Sequence, residues 1–174
     1  CITREAHLPE QDPFVAFGQL LAVSDAPFAA FYRSGAHFAL CASPERFLSF
    51  EGRRVVGQPM KGTRPRSADA VEDARSAAEL AEDPKERSEN IMALDVMRHD
   101  LSRIAASGTV RVEELCAVQS HRRVHQMVST VSACLREDVT PWDAVLAAFP
   151  MASMTGAPKI AAMRYIDAVE DRPR

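Results

Sequence analysis

Between residues 27 and 56 four short apolar runs, PFAAFYRS, AHFALCAS, RFLSFEG and RRVVGQP, are separated by Ser-Gly, Ser-Pro and Glu-Gly punctuation. That pattern predicts antiparallel strands joined by tight turns, most simply a meander. Ahead of it, DPFVAFGQLLAVS sets Phe14, Phe17, Leu20 and Leu21 at helical spacing, with Asp12 as N-cap and Pro13 at the first helical position. From 67 to 107 the period is helical again, restarted by Asp83 and Pro84. There Leu94, Met97, Leu101 and Ile104 form an apolar stripe that stops at Ser107 and Gly108. Beyond Gly108 the β-branched stretch TVRVEELCAVQSHRRVHQMVSTVSACL returns to strand. TPWDAVLAAFP then opens a helix with Thr140 as N-cap, Pro141 at the first position and Asp143 in the first turn. No internal repeat or low-complexity linker interrupts the order. Strands and helices mixed in this way predict an α+β fold, mostly antiparallel sheet with helices packed on the outside.

Length and composition narrow the picture. A chain of 174 residues that is 47% hydrophobic suits a single domain. Such a domain buries roughly two-thirds of its unfolded surface. Both ends look cut: the chain opens on Cys1 and Ile2 and closes on AAMRYIDAVEDRPR, a helical stretch ending in a turn signal. The formal net charge of -3 gives no electrostatic reason to expect nucleic acid or an anionic membrane as partner. Cys1, Cys41, Cys116 and Cys134 form no CxxC pair, which argues against a zinc site or a disulfide framework and for reduced thiols in or near the core. No apolar run reaches the length of a membrane span and CITREAHLPEQ lacks the features of a signal peptide, so the expected location is cytoplasmic.

Four stretches carry candidate chemistry, each with a plainer reading beside it. SPERF, residues 43 to 47, places Glu45 between two strands, where a glutamate is either solvated or a proton donor. In MKGTRPR, Gly62 permits a turn or a close approach, Thr63 offers a hydroxyl and Lys61 projects from a strand end. A lysine there is a solvated cation when exposed, and a nucleophile if burial strips its proton. In DPKERSENIMALDVMRHDLSRI, Glu86 and Glu89 stack on one helical face, with Asp95 six residues beyond Glu89. Such carboxylates suit Mg²⁺, which takes its other ligands from water and substrate, or else form a solvated face balanced by Lys85, Arg87 and Arg98. In FPMASMTGAPKIAAMRYI, small and hydroxyl residues lead into a helix whose free N–H groups could hold a carboxylate or phosphate, or simply make a Ser/Thr/Gly cap.

In order along the chain, SPERF, a Pro-x-Lys-Gly-Thr segment, ENIMALDVMRHDL, VHQMVST and TGAPK together resemble the chorismate-utilising enzyme family, from about Cys1 to the last residue. CIT at residues 1 to 3 is similar to a Cys-Leu-Thr strand of some members. Lys61 makes the resemblance strongest to the aminodeoxychorismate-forming branch, because anthranilate- and isochorismate-forming members usually carry a small residue there. The resemblance implies a chorismate-binding fold, incomplete here, with residues 1–174 as part of one catalytic domain truncated at both ends. It implies that the Lys61 amine attacks C2 of chorismate as the C4 hydroxyl leaves, with Glu45 as general acid, and that ammonia then adds at C4 as the lysine departs. It further implies Mg²⁺ on Glu89, with Glu86 the weaker ligand, and substrate contacts from Gly62, Thr63, Thr155 and Gly156. The partners implied are chorismate and a glutamine amidotransferase, as a subunit or a fused domain, on a route to para-aminobenzoate and folate.

Departures from the family pattern are local. Met151 and Ala152 stand where glycines are usual, and His99 stands where Asn is usual. Gln126 occupies the position of a histidine in anthranilate-type members, with His125 one residue earlier. One residue on a strand is the opposite face, so the histidine role is not carried over, and His125 reads as either a packing or a site residue. Anthranilate or isochorismate formation, and a non-catalytic scaffold or docking module, are the other readings.

Overall fold

The computed structural model describes residues 11–24 and 26–170. The strand expected at residues 1–3, the Cys1 thiol and the turn signal after Glu170 lie outside the described residues. The chain divides into two compact units after Arg46. In the first, helix α1 (Pro13–Val23) starts as its sequence dictates, the Asp12 carboxylate accepting from the Phe14 N–H at 2.7 Å with Pro13 at the first position. Strands β1 (Phe28–Ser34) and β2 (His37–Ser43) pair antiparallel from Phe28↔Ser43 to Ser34↔His37. Phe31 joins Phe14 and Phe17 of the helix, with ring centroids 5.4 and 5.6 Å away.

The second unit holds β3 (Arg46–Glu51, its first residue at the boundary), β4 (Arg54–Gln58), β5 (Met60–Pro65), α2 (Ala70–Glu82), α3 (Pro84–Ser102), β6 (Arg111–Ser120), β7 (Val124–Cys134), α4 (Pro141–Ala148) and α5 (Lys159–Val169). The expected four-strand meander is corrected here: β1 and β2 make a sheet of their own, while β3 and β4 join a five-stranded sheet. The long strand β7 organises that sheet. One of its edges takes β6, while β4 (Arg54↔Cys134 to Gly57↔Val131) and β5 (Met60↔Val128 to Pro65↔Val124) share the other. A meander needs each hairpin to pair with the next, and β7 instead offers β4 and β5 a longer partner. Pro59 lies between them and accepts from the Ser129 N–H at 3.1 Å.

Helix α3 covers one face of this sheet. Its expected stripe, Leu94, Met97, Leu101 and Ile104, is buried against Val55, Val131, Ala133 and Leu135. Full burial of such side chains stabilises by about 1.5–3 kcal/mol each. At Gly57 an added Cβ would fall 2.9 Å from Met97 Sδ, so β4 can lie this close to α3 only without a side chain there.

Hydrophobic contact alone leaves helix rotation loosely set, and a buried polar cluster fixes it. Asn90 of α3 is fully buried; its Nδ2 donates to Met127 O at 3.0 Å, and its Oδ1 accepts from Ser129 Oγ. Ser129 Oγ in turn accepts from the Cys116 N–H at 2.8 Å. Cys116 is a non-glycine residue at φ 53, held there beside a bulge in β6. The thiols divide: Cys116 is buried and Cys134 partly so, but Cys41 is exposed, against the expectation of core burial, because it lies on an open face of the two-stranded sheet.

Asn90→Ala removes the donor to Met127 O and strands the Ser129 hydroxyl. The expected loss is about 1–3 kcal/mol of unfolding free energy, read as a lower urea midpoint at unchanged slope.

Candidate active site at the β5 rim and the start of α3

Strand β5 does not run evenly along β7. Its register slips between Met60 and Thr63, so Lys61 and Gly62 form a bulge. Gly62 has φ +89, a conformation that disfavours any side chain. A Cβ there would also lie 3.1 Å from Glu86 Cβ, 3.1 Å from Glu86 Oε2 and 3.2 Å from Leu80 Cδ1. The missing side chain is therefore what lets the Glu86 carboxylate rest on the backbone next to Lys61. Lys61 is half-buried, and its ammonium makes no ion pair or hydrogen bond among the described residues. Thr63 pairs in register with Gln126, whose Oε1 is buried with no hydrogen-bond partner among the described residues.

The start of α3 is built to bring its carboxylates to this rim. Asp83 caps the helix, accepting from the N–H groups of Lys85 at 3.0 Å and Glu86 at 3.1 Å. Those bonds, Glu86 first, hold the Asp83 carboxyl below its ordinary pKa. Arg64 of β5 reaches Glu79 at 2.5 Å and Asp83 at 3.6 Å, tying the strand to the junction of α2 and α3. One turn in, the Lys85 ammonium lies 3.3 Å from Glu86 Oε1 and 3.4 Å from Glu89 Oε1. The two carboxylates, Glu86 first, raise the Lys85 pKa. Because one cation reaches an oxygen of both side chains, Glu86 and Glu89 converge on a common point. That donor set fits Mg²⁺, which needs only one or two protein carboxylates. Among the described residues no group of three or more His, Cys, Asp or Glu side chains gathers for a metal. Asp95 takes no part in this pair, being exposed and bonded to Arg98 at 2.9 Å, and Arg87 donates to Ala81 O at 3.0 Å.

Glu45 belongs to the first unit. It is half-buried in the turn after β2, where its N–H donates to Ser43 Oγ at 3.2 Å and its carbonyl accepts from that hydroxyl at 3.0 Å.

The TGAPK segment is organised differently from the expected Ser/Thr/Gly cap. Helix α5 begins only at Lys159, with Pro158 as N-cap and no side-chain cap. The Thr155 hydroxyl instead donates to Met151 O at 3.0 Å, and Gly156, at φ +147, sits where a Cβ would come 3.2 Å from Ala162 Cβ. Met151 adopts φ −60, open to any residue, so its replacement of a glycine strains nothing. Lys159 is nine-tenths buried and donates to Asp100 at 2.5 Å and Ala148 O at 2.8 Å, a structural pair that anchors the start of α5 to α3. A groove of about 550 Å³ opens beside it, lined by His99, Arg103 and Pro158 among others.

His125 is a satisfied packing residue. It is 2% exposed; its Nε2–H donates to Asp73 Oδ1 at 3.0 Å and its Nδ1 accepts from Ser120 Oγ at 2.8 Å. Asp73 also accepts from Arg66 Nε at 2.8 Å and Nη2 at 2.7 Å, and from the Ser67 N–H at 2.9 Å. The Arg66 guanidinium, then the Ser67 N–H, hold the Asp73 carboxyl far below the usual carboxylate range. Periodicity carried no signal for this network or for Asn90, since each joins elements distant in sequence. Lys85 was legible only as a neutralising charge.

Comparison with known proteins agrees with this architecture. The family described as chorismate binding enzyme matches residues 1–174. The chain belongs to the chorismate-binding enzyme family. It is 48% identical over its whole length to an aminodeoxychorismate synthase of Streptomyces griseus, of which it covers 24%. Over 93% of its length it is 44% identical to anthranilate synthase component 1 of Thermus thermophilus, covering 35% of that protein. The crystal structure of anthranilate synthase component I from Streptococcus pneumoniae superposes with a TM-score of 0.83 at 31% identity, over 95% of this chain and 36% of that one. The chain thus spans between a quarter and about a third of the length of these relatives. Relatives named for two different products stand at 48% and 44% identity, so overall similarity fixes the chorismate-binding family without choosing a reaction.

Within this family member, the structure brings Gly62 and Glu86 into contact and sets Glu89 beside Glu86 through Lys85, while Thr155 and Gly156 belong to a turn with its own bonding. The Asp73 network makes stability depend on acid. A carboxyl whose pKa is depressed on folding contributes fully above its unfolded value, near pH 4, and loses that contribution as pH falls toward its folded value. Asp73→Asn is expected to be less stable than the parent at pH 7, with the gap narrowing by pH 3, as read from denaturation midpoints at the two values.

Proposed function

We propose that this chain carries the lysine-bearing part of an aminodeoxychorismate synthase component I, which converts chorismate and ammonia to 4-amino-4-deoxychorismate. The observation that carries the reading is Lys61 on its bulge: half-buried, free of any ion pair among the described residues, and next to the glycine that admits Glu86. An amine already held by a carboxylate would have to give up that bond before attacking carbon. Lys61 has no such bond to break.

In this reading the Lys61 nitrogen forms a bond to C2 of the ring, the ring double bond shifts, and the C4–O bond breaks. Glu45 donates the proton with which the hydroxyl leaves as water. Ammonia then bonds to C4, the double bond returns, and the C2–N bond to Lys61 breaks, restoring the amine. Splitting one displacement into two lowers each barrier, and occupying C2 directs ammonia to C4. Glu89, assisted by Glu86, would hold Mg²⁺, which supplies positive charge for a substrate carboxylate. Gly62, Thr63 and the Thr155–Gly156 turn are assigned to substrate, and the buried, unpartnered Oε1 of Gln126 beside Thr63 adds an acceptor on that side of the sheet. Ammonia would come from a glutamine amidotransferase, as a separate subunit or a fused domain, and the product would serve para-aminobenzoate and folate synthesis in the cytoplasm. The 44% identity to a relative named anthranilate synthase keeps anthranilate formation as the second reading.

Chorismate, Mg²⁺ and an ammonium salt are to be supplied to the purified chain and the products separated. 4-Amino-4-deoxychorismate is expected, absent with Lys61→Ala and about 100-fold slower or more with Glu45→Gln. Anthranilate as the product would establish the second reading, and no turnover would mark the chain as a scaffold.

A further inference from the structure

Glu86 and Glu89 stand one helical turn apart, and two carboxylates so placed repel each other unless a cation lies between them. Lys85 is that cation: its ammonium is 3.3 Å from one and 3.4 Å from the other. The partnership is unusual in its exposure. Lys85 is 74% exposed while Glu86 is only 24% exposed, so the ammonium approaches from solvent onto carboxylates that the Gly62 backbone backs from behind. An ion pair of this kind is weak and screened, and cheap to exchange.

We propose that Lys85 is a built-in, displaceable counter-ion of the Glu86–Glu89 pair, which a divalent cation must push aside to bind. This rests on the reading of Glu89 as a metal ligand. Lys85 keeps the two carboxylates together while no metal is bound, so the site is not forced open by its own charge. On metal binding it swings into water, a movement its exposure permits. It thereby lowers the affinity of the site and makes occupancy respond to divalent-cation concentration. A neutral residue at 85 removes both the competition for the oxygens and the repulsion between like charges. Arginine keeps both.

The test titrates Mn²⁺ into the full chain and follows free ion by electron paramagnetic resonance, with thermal denaturation as a second readout. Lys85→Met is expected to bind Mn²⁺ about three- to tenfold more tightly than the parent at low salt, as two weak exposed pairs would allow. The difference should shrink near 1 M salt, where the screening length is about 3 Å. Lys85→Met should also show the larger Mn²⁺-dependent rise in Tm, and Lys85→Arg should match the parent. Mn²⁺ binding that Glu89→Gln abolishes but Lys85→Met leaves unchanged or weaker overturns the counter-ion role while keeping Glu89 as ligand. Binding that survives Glu89→Gln overturns the ligand reading itself, and absence of binding to every form overturns both.

Discussion

The seating of α3 on β7 is the constraint from which the site follows. The apolar stripe of α3 supplies most of the free energy of this contact, but such contact is nondirectional, and a helix can roll on a sheet at small cost to buried area. Asn90 removes that freedom. Its amide must meet a particular backbone carbonyl and a particular hydroxyl, both on β7, and a rolled helix would leave these groups unpaired in a dry interior. Glu89 precedes Asn90 and Glu86 lies one turn back, so the rotation that satisfies the amide also decides where both carboxylates stand.

Placement on the strand side is equally determined. A regular β5 would set an ordinary side chain against α3 at the position of Gly62, and Glu86 would be displaced. The bulge and the glycine act together: the extra residue lets Lys61 leave the even pleat, and the absence of a Cβ admits the carboxylate. Arg64, reaching Glu79 and Asp83, then locks the strand to the helix junction a short distance away. Neither element alone makes an unusual site. Their contact puts an unpaired amine, two convergent acids and a close-packed backbone on neighbouring positions of the chain.

Much of this was legible in the sequence, because periodicity and caps are local. Asp12, Asp83 and Thr140 cap the helices they were expected to cap, Pro84 restarts α3, and the stripe from Leu94 to Ile104 is the buried one. What was not legible depends on pairing at a distance. The meander failed at β3 because β4 and β5 both find a longer partner in a strand some seventy residues later, and no feature of a hairpin announces that competitor. The Thr155 and Gly156 segment looked like a helix cap by residue type, yet its hydroxyl found a carbonyl four residues back and α5 started later. Ordered motifs did better than spacing alone at the site, since spacing marked Glu86 and Glu89 as a pair but could not tell a metal from the lysine that now bridges them.

The pair His125 and Gln126 shows how narrowly such chemistry is placed. Successive residues on β7 point to opposite faces of the sheet. His125 therefore meets α2, where Asp73 and Ser120 use both of its ring nitrogens and leave neither for a substrate. Gln126 faces the other way, in register with Thr63, with a buried acceptor left over. A histidine moved by one residue is thus a different group in physical terms. Its proton is committed to holding the β6–β7 hairpin against α2, and the polar group offered on the opposite face is an amide that cannot take up a proton near neutral pH. If reaction occurs on that face, the base or acid it needs must come from elsewhere, and a reaction that draws its nucleophile from a lysine asks least of position 126.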